Sequence, residues 1–578
     1  MEKQTVIELR GITKRFGSSI IANNNVSMDV KKGEILSILG ENGCGKTTLM
    51  NMLAGIYYPD EGTIFIRGEE AIIRSPKDAF RYNIGMIHQH FKLIDVFTAA
   101  ENIVIGTDSG KKYDIKEAKN RISTMSEKYG FHIELDKKIY EMSVSEKQTV
   151  EIVKALYRGA DVLILDEPTA VLTPQEIERL FEVLRAMRED GKSVIIITHK
   201  LNEVMEISDR VTVLRKGEHI KTVATSETNE KELADMMVGQ KVTLNIDRPL
   251  PENPKLRLSV EGLSLLGTEG YLLLDNVSFD AYSGEILGIA GIAGSGQREL
   301  LESIAGLHHL QNGQITYYNP KKNLPITFYH KTMERVLELA SEGMLRYADG
   351  SDFTGKDEKG KLLPKKEIRS KVEAGEIFFK EDEIINLREK TPLQIRELGV
   401  RFSFVPEDRL GMGLVGDMDI IDNMMLRSYR RGKSVLVDRK APESLANEIV
   451  EKLQVVTPNT HTPVRRLSGG NVQKVLVGRE IAAGPRVLMA AYPVRGLDIN
   501  SSYTIYNLLT EQKKNDVAVI FVGEDLDVLL ALCDRILVIA GGKVMGIVDA
   551  RKAKKEEIGL MMTGTAIENE KSKKGGSL

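Results

Sequence analysis

The chain repeats itself. Asn25-Val26-Ser27-Met28-Asp29 returns as Asn276-Val277-Ser278-Phe279-Asp280, and Gly33-Glu34-Ile35 as Gly284-Glu285-Ile286, both 251 positions later. Asp209-Arg210 returns as Asp534-Arg535, 325 positions later. The second half is therefore longer between these landmarks by the difference of the two offsets, 74 residues. Short solenoid repeats need three or more copies, so two long copies mean a tandem duplication of one architecture. At 578 residues the chain also exceeds one ordinary domain. The expected division is a first domain over 1–246, a linker over 247–255, a second domain over 256–566 and a disordered tail over 567–578. Pro249, Pro251 and Pro254 make the linker short and stiff. The extra length falls over 317–390. That stretch is polar, with one helical pattern over 333–345, and reads as a surface insertion.

Short apolar runs alternate with helix-length patterns in both halves. The runs 35–39, 162–165 and 194–197 are β-branched or leucine-rich and read as buried parallel strands. The fold class is α/β, which places ligand sites at the carboxyl ends of the strands. Hydrophobic residues at 42% exclude wholesale disorder, and a net charge of −3 gives no basic surface for nucleic acid. Two cysteines, Cys44 and Cys533, exclude a disulfide scaffold and suit a reducing compartment. Residues 1–10 carry no secretory apolar segment, and no run approaches the ~18 apolar residues of a membrane helix. Work at a membrane would need a partner.

The first half holds a complete set for phosphate chemistry. Gly40-Glu41-Asn42-Gly43-Cys44-Gly45-Lys46-Thr47 fits G-x-x-x-x-G-K-[ST] directly after an apolar run. Glycines let backbone N–H groups wrap a phosphate, and the helix that follows aims its positive end there. Lys46 is placed for the β- and γ-phosphates and Thr47 for Mg²⁺; Thr48 completes the loop. Asp166 and Glu167 end a buried strand. Asp166 suits metal binding and Glu167 suits a general base. His199 follows another strand, spaced for a γ-phosphate contact. Gln89, in Gly85-Met-Ile-His-Gln89, ends a further run and could reach both metal and water. Cys44 at a helix N-terminus is where thiolate is favoured, but it reads as a small tolerated residue.

These motifs, with Leu467-Ser468-Gly469-Gly470-Asn471 in the second half, resemble the ATP-binding subunit of an ATP-binding cassette (ABC) importer. The closer resemblance is to fused double-cassette subunits of simple-sugar and nucleoside uptake systems. It implies two tandem P-loop cassettes, each with a RecA-like core and a helical subdomain. It implies ATP and Mg²⁺ as cofactors. The implied partners are integral-membrane permease subunits and an extracellular solute-binding protein, with this chain peripheral on the cytoplasmic face and no nucleic acid. In such proteins Ser468, Gly469, Gly470 and Asn471 form the signature that caps the γ-phosphate held by the opposite cassette, and Asp498 is the D-loop residue of that site. Phe16 matches the aromatic that stacks on adenine; a sheet-core residue is the equal alternative. The helical region over 91–140 would pass motion to the permease.

Departures from the pattern gather in one of the two composite sites. The second P-loop reads Gly291-Ile-Ala-Gly-Ser-Gly296-Gln297-Arg298, so lysine and the metal hydroxyl are both gone. Ala491-Tyr492 replaces Asp-Glu, Glu524 the histidine, and Glu407 the glutamine, while Gly267 lies near the Phe16 position. The added carboxylates would repel phosphates, with Arg298 as a partial offset. The first-half signature reads Met142-Ser143-Val144-Ser145-Glu146, and Thr173 stands where the second half has Asp498. Random decay would scatter losses over both sites; their concentration implies head-to-tail pairing with one hydrolytic site. Val405-Pro-Glu-Asp-Arg-Leu-Gly-Met-Gly-Leu-Val415 and Ala490-Ala491 most resemble the nucleoside branch, ahead of a ribose or galactose importer. A soluble tandem-cassette protein acting on ribosomes is the alternative from another class; such proteins keep both P-loops and both glutamates.

Overall fold

The computed structural model describes residues 4–17, 20–88, 91–106, 115–170, 172–239, 246–267, 270–328, 333–357, 359–398, 400–428 and 438–564. The chain forms two compact units, Met1–Asn245 with Leu497–Asn500, and Ile246–Gly496 with Ser501–Leu578. Gln89 and the tail expected over 567–578 lie outside the described residues.

In the first unit a six-stranded sheet runs in the order Glu218–Ala224, Arg210–Arg215, Ile35–Leu39, Ser193–Thr198, Val162–Asp166, Ile84–Ile87. All neighbours are parallel except the first pair, which is antiparallel. Alternation sends Leu36 and Ile38, with Val162 and Ile164, into one core. Ile35, Leu163 and Leu165 enter a second core on the other face. Both faces are covered, which explains why these strands read as continuous apolar runs. The register sets Leu39 beside Thr198 and Asp166 beside Ile197. The P-loop, Glu167 and His199 therefore leave the sheet at one edge. A four-stranded antiparallel sheet, ordered Ile20–Lys31, Thr5–Phe16, Glu61–Ile66, Glu69–Glu70, completes the unit.

The second unit repeats the plan. Its six-stranded sheet is ordered Phe402–Val405, Val487–Ala491, Ala518–Val522, Ile286–Ala290, Arg535–Ala540, Lys543–Asp549. The linker is not a free spacer, because it packs on this unit. Arg248 donates to the carbonyls of Leu530 and Cys533, and Lys513 Nζ bonds Pro249 O at 2.5 Å and Asp534 at 2.8 Å.

The extra segment folds between Asn319 and Glu383, which both belong to paired strands of one sheet. It has its own core, built on Ile326, Leu339, Phe353, Ile368 and Phe379. The helix expected over 333–345 stops at Ser341; Gly343 turns at φ 71° and Leu345 opens a strand paired with Ile377–Phe379. A second helix, Lys365–Glu373, was hidden because only Ile368 and Val372 of it are buried.

Candidate functional site

The P-loop joins the strand Ile35–Leu39 to the helix Lys46–Leu53. Its glycines do different things. A Cβ on Gly40 would lie 2.4 Å from Leu214 O, and one on Gly45 would lie 2.2 Å from Ala22 O. Those two glycines let the loop sit against its own unit. Gly43, at φ 79° with open space around its Cβ position, faces outward. Glu41 and Asn42 share that outer rim, and Thr48 is half-buried on the helix. Lys46 is buried and donates to the carbonyls of Gly40 (2.8 Å) and Glu41 (2.9 Å), which fixes its ammonium at the loop. Asn23, unremarked in the sequence, is fully buried and donates to Gly45 O at 3.2 Å. Burial pushes the Cys44 thiol up from its ordinary value, with the Lys46 charge opposing only in part. The expected preference for thiolate is thus reversed: the Sγ packs inward, where the charged form is poorly solvated.

Thr47 Oγ1 donates to Asp166 Oδ1 at 3.3 Å. Burial raises the Asp166 carboxyl above its ordinary range, and Glu167 adds to the rise. Glu167 takes φ 48°, left-handed backbone that costs a non-glycine residue about 1–3 kcal/mol and gathers at functional sites. Its Oε1 lies 3.0 Å from His199 Nδ1, and that hydrogen bond holds the Glu167 carboxyl below its ordinary value. The side chain is only 20% exposed. Two adjacent carboxylates are thus pushed apart, one reluctant to ionise and one kept ionised, an arrangement suited to different jobs. Behind them Gln148 donates to Pro168 O at 2.9 Å, and Thr169 to Glu203 at 2.6 Å. Phe16 is not a core residue. It is 36% exposed at a strand end, in a T-shaped contact with Tyr57 at 5.2 Å and with the Lys14 ammonium 5.7 Å from its ring centre.

The second unit keeps the backbone and changes the chemistry. Tyr492 also has φ 48°, and its N–H bonds Val522 O at 3.0 Å as that of Glu167 bonds Ile197 O at 2.9 Å. Gln297 Nε2 donates to Ile292 O at 3.0 Å, standing where Lys46 stands. Arg298 supplies the expected offset only in part, its charge reaching Glu407 after its nearer partner. It pairs with Glu302 on its own helix at 2.7 Å, a residue that also bonds His308. The closer offset comes from Arg495, which the sequence did not single out for this role. It pairs with both Glu407 and, at 3.1 Å, Glu524. These three side chains and Tyr492 lie together at the second loop edge.

The two signature segments differ in how their helices begin. The helix Gly469–Ala482 is capped by Ser468, whose Oγ also accepts from Asn471 Nδ2 at 2.9 Å. Ser468 and Gly469 are exposed, and Gly470 and Asn471 half-buried. The helix Val144–Tyr157 is capped by Ser143 in a reciprocal box, with the Glu146 carboxylate on Ser143 N at 2.7 Å. Its positive end already faces an anion. Asp498 is half-buried just before the helix Ile499–Lys514. Thr173 instead caps the helix Pro174–Glu189 with Glu176.

A phosphate-wrapping loop, a hydroxyl–carboxylate pair and a carboxylate–imidazole pair at one sheet edge define a nucleotide-hydrolysing cassette. Comparison with known proteins agrees. The ABC transporter family model matches residues 23–170 and 274–342. The chain is 37% identical to the nucleoside import ATP-binding protein NupA of Lactococcus lactis subsp. cremoris, over 98% of this chain and 100% of that protein. It is 38% identical to the guanosine import ATP-binding protein NupO of Bacillus subtilis, over 97% and 98%. It is 35% identical to the glucose import ATP-binding protein TsgD13 of Haloferax volcanii, over 98% and 96%. The chain belongs to the tandem-cassette ATP-binding subunits of ABC importers, and is an ABC-type ATPase. Among the described residues no helix is long and apolar enough to cross a membrane.

Proposed function

We propose that this chain is the motor of a nucleoside importer, bound to permease subunits at the cytoplasmic face of the membrane and served by an extracellular solute-binding protein. The observation that carries the substrate class is the end-to-end similarity to NupA and NupO. The Val405–Val415 block supports it. A simple-sugar importer is the second reading, favoured by the similarity to TsgD13.

In this reading the first P-loop binds ATP, with Phe16 against the base and Lys46 on the β- and γ-phosphates. The donor set fits Mg²⁺, since a hydroxyl and a buried carboxylate, both hard oxygens, are already in contact. Thr47 and Asp166 would hold the ion, with Gln89 beside them, and it would supply positive charge to the phosphates. Glu167, kept ionised by His199, takes the proton of the attacking water. His199 orients Glu167 and reaches toward the γ-phosphate. Ser468, Gly469, Gly470, Asn471 and Asp498 serve this site in a head-to-tail pairing of cassettes. The other composite site does not hydrolyse ATP. It lacks carboxylates at Ala491 and Tyr492, carries the Glu407–Arg495–Glu524 cluster, and would use a signature whose helix end already holds Glu146.

Uptake of radiolabelled guanosine, uridine, ribose and galactose tests the proposal in cells with and without the gene for this chain. Loss of nucleoside uptake, rescued by the unaltered chain and not by Lys46→Ala, is expected. Loss of sugar uptake alone would transfer the assignment to the second reading. No change in either would overturn both.

A further inference from the structure

Cations gather outside both P-loops, at the base of the extra segment of the second unit. A cavity of 380 Å³ opens there, lined by Lys255, Arg257, Lys322, Arg486 and Asp382. Asp382 is the one acidic residue among the lining residues, and it is already engaged: its Oδ1 accepts from the backbone N–H groups of Lys321 (3.0 Å) and Lys322 (3.1 Å). Among the described residues no carboxylate pairs with Lys255, Lys322 or Arg486. Arg257 is only 3% exposed. One Nη donates to Asp516 at 3.1 Å.

The duplication supplies an internal control. Counting back by the two offsets, Arg257 corresponds to Val6 and Arg486 to Asp161. The hydrogen bonds confirm the match of this corner. Asp161 N and Val162 N donate to Asn83 O, and Arg486 N and Val487 N donate to Arg401 O. In the first unit the corner is internally satisfied, its carboxylate Asp161 taking Arg67 at 2.9 Å, Asn83 at 2.8 Å and Lys192 at 3.0 Å. In the second unit, the half that gained the extra segment, the same corner carries Arg257, Arg401 and Arg486. At the position of Asp161 a carboxylate has become a guanidinium, and the extra segment lines a cavity beside it.

We propose that this cavity binds a small soluble molecule bearing a phosphate monoester. Guanidinium forks match phosphate oxygens two at a time, and several converging cations favour a dianion over a single carboxylate. The volume falls at the small end of ligand pockets, enough for a phosphate and a sugar-sized remainder. The site is independent of which solute the transporter carries.

Equilibrium dialysis of the purified full chain with labelled inorganic phosphate and ribose 5-phosphate tests this. Arg486→Asp, which restores the first-half residue, should weaken binding at least ~10-fold. Lys322→Ala, at an exposed position that leaves the fold intact, should weaken it roughly threefold or more. The same losses should appear when the cavity variants are made on a Lys46→Ala background, where phosphate binding at the P-loop is removed. Binding that survives both cavity variants on that background, or that vanishes with Lys46→Ala alone, would overturn the proposal. So would the absence of saturable binding below ~1 mM. Vesicles containing phosphatidylglycerol separate the sources of the same chemistry. Arg486-dependent binding to vesicles without binding of the soluble probes would reassign the site to a lipid headgroup and overturn the soluble-ligand claim.

Discussion

Replacing Glu167 by Gln is the sharpest single perturbation of the hydrolytic site. Gln has nearly the same shape and keeps a hydrogen-bonding oxygen 3.0 Å from His199 Nδ1, but it cannot accept a proton. The partner imidazole is 43% exposed, so weakening that contact changes stability by less than about 1 kcal/mol. Loss of a positioned general base costs ~10²–10⁴ in rate, which is roughly 2.7–5.4 kcal/mol of barrier at 1.36 kcal/mol per decade. The two scales separate cleanly: turnover should collapse while folding and ATP binding stay near those of the unaltered protein. Phosphate release from the purified chain, with binding of a fluorescent ATP analogue alongside, reads both. Tyr492→Glu should leave turnover where it was. It restores a carboxylate on the same φ 48° backbone, but Ala491, Gln297 and the Glu407–Arg495–Glu524 cluster remain. If the Glu167→Gln protein keeps more than about a tenth of the original rate, the general-base reasoning fails.

Three further outcomes follow from the same geometry. Burial raises the Asp166 carboxyl, so its ionised form destabilises the nucleotide-free fold above that raised value and stability recovers as pH falls through it. Asp166→Asn should therefore raise the melting temperature at neutral pH while abolishing hydrolysis; a lower melting temperature would contradict the burial argument. Cys44, buried with its thiol pushed up, should be alkylated at least ~10-fold more slowly in the folded chain than in denaturant, as followed by mass spectrometry. Thr173→Ala removes a reciprocal helix cap and should cost about 1 kcal/mol in chemical denaturation with ATP turnover retained; lost turnover at unchanged stability would give Thr173 a role in the site.

The residues that could be read from the sequence are those whose chemistry is local. The strand Ile35–Leu39 is buried on both faces, so its apolar run was visible, and the glycines and lysine that follow are consecutive in the chain. The carboxylates after Val162–Leu165 and the histidine after Val194–Ile197 were visible for the same reason. What escaped depends on contacts between distant positions. Arg495 meets Glu407 and Glu524 only because three strands end at one edge, and nothing in Arg495-Gly-Leu-Asp498 announces it. Asn23 sits under Gly45 from a neighbouring strand. The small core of the extra segment draws single apolar residues from between charged ones, so its composition looked like an exposed loop. The meeting of Arg257 with Arg486, which stands where the first half has Asp161, needed the fold to bring together two residues more than two hundred positions apart.

The central claim is that ATP is hydrolysed at the first P-loop and not at the second. Vanadate trapping of a photoreactive, α-labelled ATP in the assembled transporter, followed by proteolysis between the halves, tests it directly. Trapped ADP should label only the half containing Lys46, and Lys46→Ala should remove the label. ADP trapped on the half containing Gln297 would contradict the account.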